Sequence, residues 1–165
     1  MDKNLVGIIS DTHDDRNAIR KAVDTFREAD VSIVLHGGDF VAPFTVNEFA
    51  RLEVPFVGVF GNNDGEVAGL TSLYGKIGSL HKAPYELEHN GVRFVLMHEP
   101  YYLDEYLSRG GVDVIIYGHT HKIDIREQSP LVINPGEACT WLTGRSTIVI
   151  LDTAAMKPEL IELSL

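Results

Sequence analysis

Five short apolar runs in this sequence end in the same way, and that recurrence constrains the chain more than any other feature. Leu5 to Ser10 runs into Asp11-Thr12-His13, Val31 to Leu35 into His36-Gly37-Gly38-Asp39, and Val54 to Phe60 into Gly61-Asn62-Asn63-Asp64. Val92 to Met97 stops at His98, and Asp113 to Tyr117 at Gly118-His119-Thr120-His121. A short apolar run bounded by turn residues reads as a buried strand. Helical signals lie between the first three runs. Ile19, Val23 and Phe26 share a helical face that Asp14 or Asp15 can cap, and Pro43 suits the first turn of a stretch reaching Leu52. Strand–helix–strand–helix–strand implies a parallel sheet with right-handed crossovers. Given a compatible sheet order, the polar ends of these strands share one edge.

The remainder is richer in strands. Gly65 to Leu80 reads as a loop with one short helix near Leu70 to Ile77. Tyr85 to Glu88 and Val92 to Met97 flank His89-Asn90-Gly91, and Asn-Gly is a strong hairpin signal. Tyr101 to Arg109 looks helical and Gly110-Gly111 stops it. Ile123 to Glu127 and Leu131 to Asn134 are short strands around a Ser129-Pro130 turn, and Ser146 to Asp152 with Glu159 to Leu163 form a last hairpin. So many strands fit an α/β protein of two packed mixed sheets with helices outside. The 165 residues suit one domain, 1–165.

The polar strand ends supply Asp11, His13, Asp39, Asn62, His98, His119 and His121. Imidazole, carboxylate and amide oxygen suit Mn²⁺, Fe, Zn²⁺ or Ni²⁺. The lone cysteine, Cys139, reads as a packed thiol, which argues against a structural thiolate zinc site and fits a reducing compartment. Seven ligands exceed what one ion needs and suit two ions sharing a bridging carboxylate. Lys plus Arg number 14 and Asp plus Glu 24, a net charge of −10. That balance disfavours nucleic-acid or membrane-surface binding. Two divalent ions, set against Asp11, Asp39 and a bridging hydroxide, leave one positive charge, suited to an anionic phosphodiester or to a phosphomonoester.

Blander readings exist for each residue. Asp11, His13 and Asp39 taken singly serve equally as caps and turn residues. Asn62-Asn63-Asp64 is ordinary turn chemistry, so Asn62 as a ligand rests on its position and Asp64 reads as a supporting group. His119 and His121 are a poor choice for mere turn formation. His36 reads as buried, His81 and His89 as loop and hairpin residues, and Arg16 as a solvated helix residue or a phosphate contact. Trp141 and Tyr101-Tyr102 fit a pocket wall or an oligomer contact.

Asp11-x-His13, Gly38-Asp39, Gly61-Asn62-Asn63-Asp64, His98 and Gly118-His119-x-His121, in that order, resemble the motif set of the calcineurin-like metallophosphoesterases. Asn134-Pro135-Gly136-Glu137, Leu142-Thr143-Gly144 and Ile150-Leu151-Asp152-Thr153 are similar to the small archaeal and bacterial phosphodiesterases among them. The resemblance implies a four-layer α/β/β/α fold. It implies that Asp11, His13 and His121 hold a first metal, that Asn62, His98 and His119 hold a second, and that Asp39 bridges them. His98 and Asn63 are then the residues closest to catalysis, Asn63 as a phosphate contact. Small members of the family are usually assayed with Mn²⁺ or Ni²⁺, so Mn²⁺ leads, with Fe, Zn²⁺ and Mg²⁺ as alternatives. Many relatives have histidine where this chain has Asn63. Asparagine cannot deliver a proton at neutral pH, so poor leaving groups should suffer most. Glu99-Pro100 also departs from close relatives and alters the substrate side of the second metal.

The expected function is a metal-dependent phosphodiesterase in which a metal-bridging hydroxide attacks the phosphodiester. The rivals are a phosphomonoesterase and a non-catalytic, protein-binding scaffold on the same fold, as in the retromer subunit. Expected partners are a small phosphodiester or phosphate ester, with no membrane; a homo-oligomer, dimer or tetramer, is compatible. Met1-Asp2-Lys3-Asn4 lacks a basic leader and no apolar run is long enough to span a bilayer, which points to the cytoplasm.

Overall fold

In the computed structural model, which describes residues 4–165, strands and helices alternate as far as His81. Met1, Asp2 and Lys3, part of the stretch read above for a leader, lie outside the described residues. In chain order the elements are β1 (Leu5–Ile9), α1 (Arg16–Glu28), β2 (Ile33–His36), α2 (Val46–Phe49), β3 (Phe56–Val59), α3 (Val67–Tyr74), β4 (Gly78–His81), β5 (Tyr85–His89), β6 (Val92–Leu96), α4 (Leu103–Arg109), β7 (Val114–Ile116), β8 (Ile123–Arg126), β9 (Leu131–Pro135), β10 (Thr147–Asp152) and β11 (Lys157–Glu162). They form two mixed sheets, ordered β11-β10-β1-β2-β3-β4 and β5-β6-β7-β9-β8.

The expected parallel unit is present: β1 pairs with β2 (Gly7 opposite Val34) and β2 with β3 (Leu35 opposite Val57). The second sheet has a parallel centre of its own, with Val95 opposite Ile115 and Ile115 opposite Val132. The Asn90-Gly91 turn joins β5 to β6 as an antiparallel pair with His89 opposite Val92.

Side-chain alternation explains the layering. Val6, Ile8, Leu35 and Val59 of the first sheet and Leu96, Ile116 and Ile133 of the second form one dry core between the sheets. The opposite face of the first sheet presents Ile9 and Val34 to Ile19, Ala22, Val23 and Phe26 of α1. The opposite face of the second presents Val95 and Ile115 to Leu103 and Tyr106 of α4. Each such aliphatic side chain contributes about 1.5–3 kcal/mol on burial. The result is the four-layer α/β/β/α arrangement, with both parallel centres packed face to face. No helix among the described residues is long and apolar enough to cross a membrane.

Three sequence expectations need correction. The stretch before Leu80 contains an edge strand, β4, which has no apolar run and exists because its backbone completes a parallel ladder beside β3 (Gly58 opposite Leu80). His81 therefore ends a strand, stacked on Tyr85 at 3.5 Å, and α3 begins three residues earlier than its apolar residues suggest. The helix from Pro43 is broken: α2 has only four residues between the 3-10 turns Pro43–Thr45 and Ala50–Leu52, and Glu53 ends it in the left-handed region (φ 57°).

Candidate metal centre

The five strand ends meet at one rim, and the backbone is bent hard to bring them there. Asp11 (φ 53°), His13 (39°), Asp39 (64°), His119 (67°) and His121 (59°) all occupy the left-handed region. Such residues cost about 1–3 kcal/mol each and persist only where surrounding structure holds them. Here the loops brace one another: Asp11 N donates to Gly38 O (3.0 Å), His13 N to Asp39 O (3.1 Å) and Gly118 N to His98 O (3.0 Å). Two glycines allow the approach. A Cβ on Gly118 would stand 2.1 Å from Ser10 Oγ and 2.7 Å from Asp11 Oδ2, and one on Gly61 would stand 2.1 Å from Asp39 Oδ1.

Two donor sets result. In the first, Asp11 Oδ1 lies 3.3 Å from His121 Nε2 and 3.7 Å from His13 Nε2. In the second, Asn62 Oδ1 lies 3.0 Å from His98 Nε2 and 3.1 Å from His119 Nδ1. Asp39 Oδ2 belongs to both, 3.3 Å from His13 Nε2 and 3.3 Å from His98 Nε2. Donors at about 2.1 Å from a common octahedral ion are about 3 Å apart, so these spacings fit cation coordination with slight contraction.

The orientation of the rings fits as well. His98 Nδ1 donates to Gly37 O at 2.8 Å, which leaves Nε2 as a lone pair facing carboxylate and amide oxygens. His121 Nδ1 donates to Glu137 Oε2, which leaves its Nε2 toward Asp11. Asp11 Oδ2 is occupied by Ser10 Oγ (2.7 Å) and His119 N (3.1 Å). Its Oδ1, together with His13 Nε2, is a buried atom without a hydrogen-bond partner among the described residues. Orphaned buried donors and acceptors are costly, and a cation between them removes the cost. The field has the matching sign. Burial would raise the Asp11 carboxyl, but the facing His121 and His13 rings, with His98 behind them, outweigh it and hold the group well below the usual carboxylate range. The nearby Asp11 carboxylate, reinforced by Glu137, lifts His121 to about 9 despite its burial. Burial lowers His98, yet Asp39 and Asp11 outweigh it and keep its pKa above the ordinary histidine value. The pocket is a sink for positive charge.

Neighbouring groups hold this frame. Asn63, expected against phosphate, turns inward: its N and Nδ2 donate to Asp39 Oδ1 (2.9 Å) and Oδ2 (2.8 Å). Asp64 accepts from Asp39 N, Val41 N and Gly61 N at 2.7–3.0 Å, locking two loops together. Burial keeps His36 neutral, its pKa down at about 3; Gly38 N donates to its Nδ1, so its Nε2–H donates to Thr12. Arg16 is not free: its half-exposed guanidinium clasps the buried Glu48 at 2.6 Å. Cys139 is fully buried with its thiol pushed up to about 12 by burial, but its Sγ lies within 4.8 Å of donor atoms of His13 and His121. Trp141 stands exposed with its ring 6.0 Å from that of His13. Tyr101 and Tyr102 are exposed on the turn before α4. The residue that reading the strand ends overlooked is Glu137. It follows β9 as Asp39 follows β2, and that shared pattern of a polar residue after a glycine at a strand end was its signal.

Residues 5–156 match the calcineurin-like phosphoesterase superfamily domain. The chain is 40% identical over 153 residues to Phosphodiesterase MJ0936 of Methanocaldococcus jannaschii, an alignment covering 90% of this chain and 92% of that protein. A solved archaeal phosphodiesterase superimposes with a TM-score of 0.91 at 39% identity, covering 96% of this chain and 99% of that one. Vps29 of Chaetomium thermophilum shares the fold at a TM-score of 0.70 and 16% identity, covering 98% of this chain and 95% of that one. The chain belongs to the calcineurin-like phosphoesterase superfamily.

Proposed function

We propose that this protein is a dinuclear, metal-dependent phosphodiesterase acting on small phosphodiesters. The observation that carries the reading is Asp39 Oδ2, equidistant at 3.3 Å from His13 Nε2 and His98 Nε2, one carboxylate oxygen common to two donor sets. Asp11, His13 and His121 would hold one ion and Asn62, His98 and His119 the other, with Asp39 shared between them. Such ions would supply Lewis acidity, the chemistry that activates water near neutral pH and offsets the charge of a phosphodiester.

The chain's own residues do the rest. Asn63 holds both oxygens of Asp39 and so fixes the bridge; its second amide N–H is left for a phosphate oxygen. Gly37 O and Glu137 hold His98 and His121 in the tautomers that present Nε2. Asp11 stays ionised because the His121, His13 and His98 rings face it, while Ser10 Oγ and His119 N satisfy its other oxygen. A chain of net charge −10 repels anionic substrate elsewhere, so the site is where a phosphodiester settles. Mn²⁺ is the proposed resident ion, in a single-domain cytoplasmic protein.

Purified protein assayed with bis-p-nitrophenyl phosphate and Mn²⁺ should hydrolyse it at a rate that vanishes after metal stripping and returns on readdition. No metal-dependent rate would favour the protein-binding scaffold. A faster rate on p-nitrophenyl phosphate than on the diester would move the reading to a phosphomonoesterase.

A further inference from the structure

We propose that Glu137 is the positioning residue of the first metal site: one carboxylate sets the tautomer and angle of His121 and pins the loop that carries Trp141 beside His13. The inference rests on the metal-site reading above and extends it to a residue outside the ligand set.

Glu137 is 1% exposed. Five donors converge on it. His121 Nδ1 meets Oε2, Leu142 N lies 3.1 and 3.2 Å from the two oxygens, and Thr143 N (2.6 Å) and Thr143 Oγ1 (2.7 Å) meet Oε1. Cys139 Sγ approaches Oε2 at 3.6 Å. A carboxylate offers about four lone-pair sites and no donor, whereas a glutamine would bring an NH₂ group to face N–H groups. Only the charged acid satisfies all of these partners at once.

Loop anchoring alone does not account for the charge. A carboxylate this deep is costly unless strong donors satisfy it, and the donor it meets from outside its own loop is the His121 Nδ1–H. The chain behaves as a relay of polarity: Glu137 draws Nδ1–H toward itself, which makes Nε2 a better donor to whatever cation sits by Asp11. His121 also needs the anchor mechanically, since its backbone is in the left-handed region at φ 59°. The same carboxylate holds 142–143, so Trp141 keeps its ring 6.0 Å from His13 in a tilted stack. Two of the three side chains of the first donor set are therefore oriented from one point.

The test compares Glu137→Gln with Thr143→Val, which removes a loop bond and leaves the carboxylate. Metal-stripped proteins would be titrated calorimetrically with Mn²⁺, melted without metal, and examined by imidazole ¹⁵N NMR. Wild type should bind two ions with His121 protonated on Nδ1. Glu137→Gln should weaken one ion by about 10–100-fold, leave the other, and redistribute the His121 tautomer. Thr143→Val should lower the melting temperature and keep both ions. The proposal is overturned if Glu137→Gln binds both ions like wild type, or if Thr143→Val weakens the same ion equally. Should the Gln variant not fold, Glu137→Asp keeps the charge but withdraws it by one methylene, and wild-type affinity there would overturn the proposal. If wild type takes up no Mn²⁺, the metal reading fails instead; the ¹⁵N spectrum still reports whether Glu137 sets the tautomer.

Discussion

The two donor sets share a carboxylate but are built to different depths. In the first, Asp11 is fully buried, His121 is 8% exposed, and each is held from behind, by Ser10 and by Glu137. In the second only His98 is buried; Asn62 and His119 stand at the surface with amide and ring in reach of solvent. Ordering an exposed side chain costs up to about 1–2 kcal/mol, which a preorganised one has already lost in folding. The first set also holds a full carboxylate of its own, the second a neutral amide. The first set should therefore grip its ion, and the second should exchange it.

Removing the group the two sets share should have the largest effect. Asp39→Ala takes a charge from both ions and frees Asn63 from its anchor. Metal-based charge stabilisation is worth several kcal/mol, so hydrolysis of bis-p-nitrophenyl phosphate should fall by about 10³-fold or more, at about 1.4 kcal/mol per factor of ten. His98→Ala should come close to it. Both variants should keep the far-ultraviolet circular dichroism of wild type, because neither residue belongs to the apolar cores; a tenfold loss or less at Asp39 would mean that the sets act separately. Next in size is the asymmetry itself. Stepwise chelation of the Mn²⁺-loaded protein should remove ions in two phases, and Asn62→Ala should abolish the weaker phase alone. A single phase, or loss of both ions in Asn62→Ala, would break the distinction between a gripping and an exchanging site.

The same contrast explains what was legible in the sequence. Asp11, His13, Asp39, His119 and His121 follow apolar runs directly, so the local pattern of strand, glycine and polar residue placed them. The pairing of the first three strands followed from the helices between them. Glu137 carries the same local pattern, but the partner that gives it a role was not legible there. Its partner His121 is brought alongside by the parallel pairing of β7 with β9, Ile116 opposite Ile133, which periodicity does not encode. Arg16 looked free because Glu48, its partner, lies 32 residues away on α2. Edge strand β4 carries no apolar alternation to find, since its stability comes from a ladder to β3 rather than from its own side chains. Local chemistry was readable, and contacts made across the sheets were not.

Asn63 offers the finest cut between the sets, because it touches the shared carboxylate and neither set's own ligands. Asn63→Ala deletes the 2.8 Å bond from Nδ2 to Asp39 Oδ2 and leaves the 2.9 Å backbone bond to Oδ1. A hydrogen bond to a charged group is worth about 1.5–3 kcal/mol at most, and the surviving bond keeps the carboxylate near its place. A loss of about five- to tenfold in kcat/KM is expected, corresponding to about 1 kcal/mol. If the amide serves only to hold Asp39, aryl and alkyl phosphodiesters should lose equally. A loss confined to alkyl substrates, whose leaving groups need more help, would place the amide on the departing oxygen and return to Asn63 the phosphate contact expected from its position in the motif.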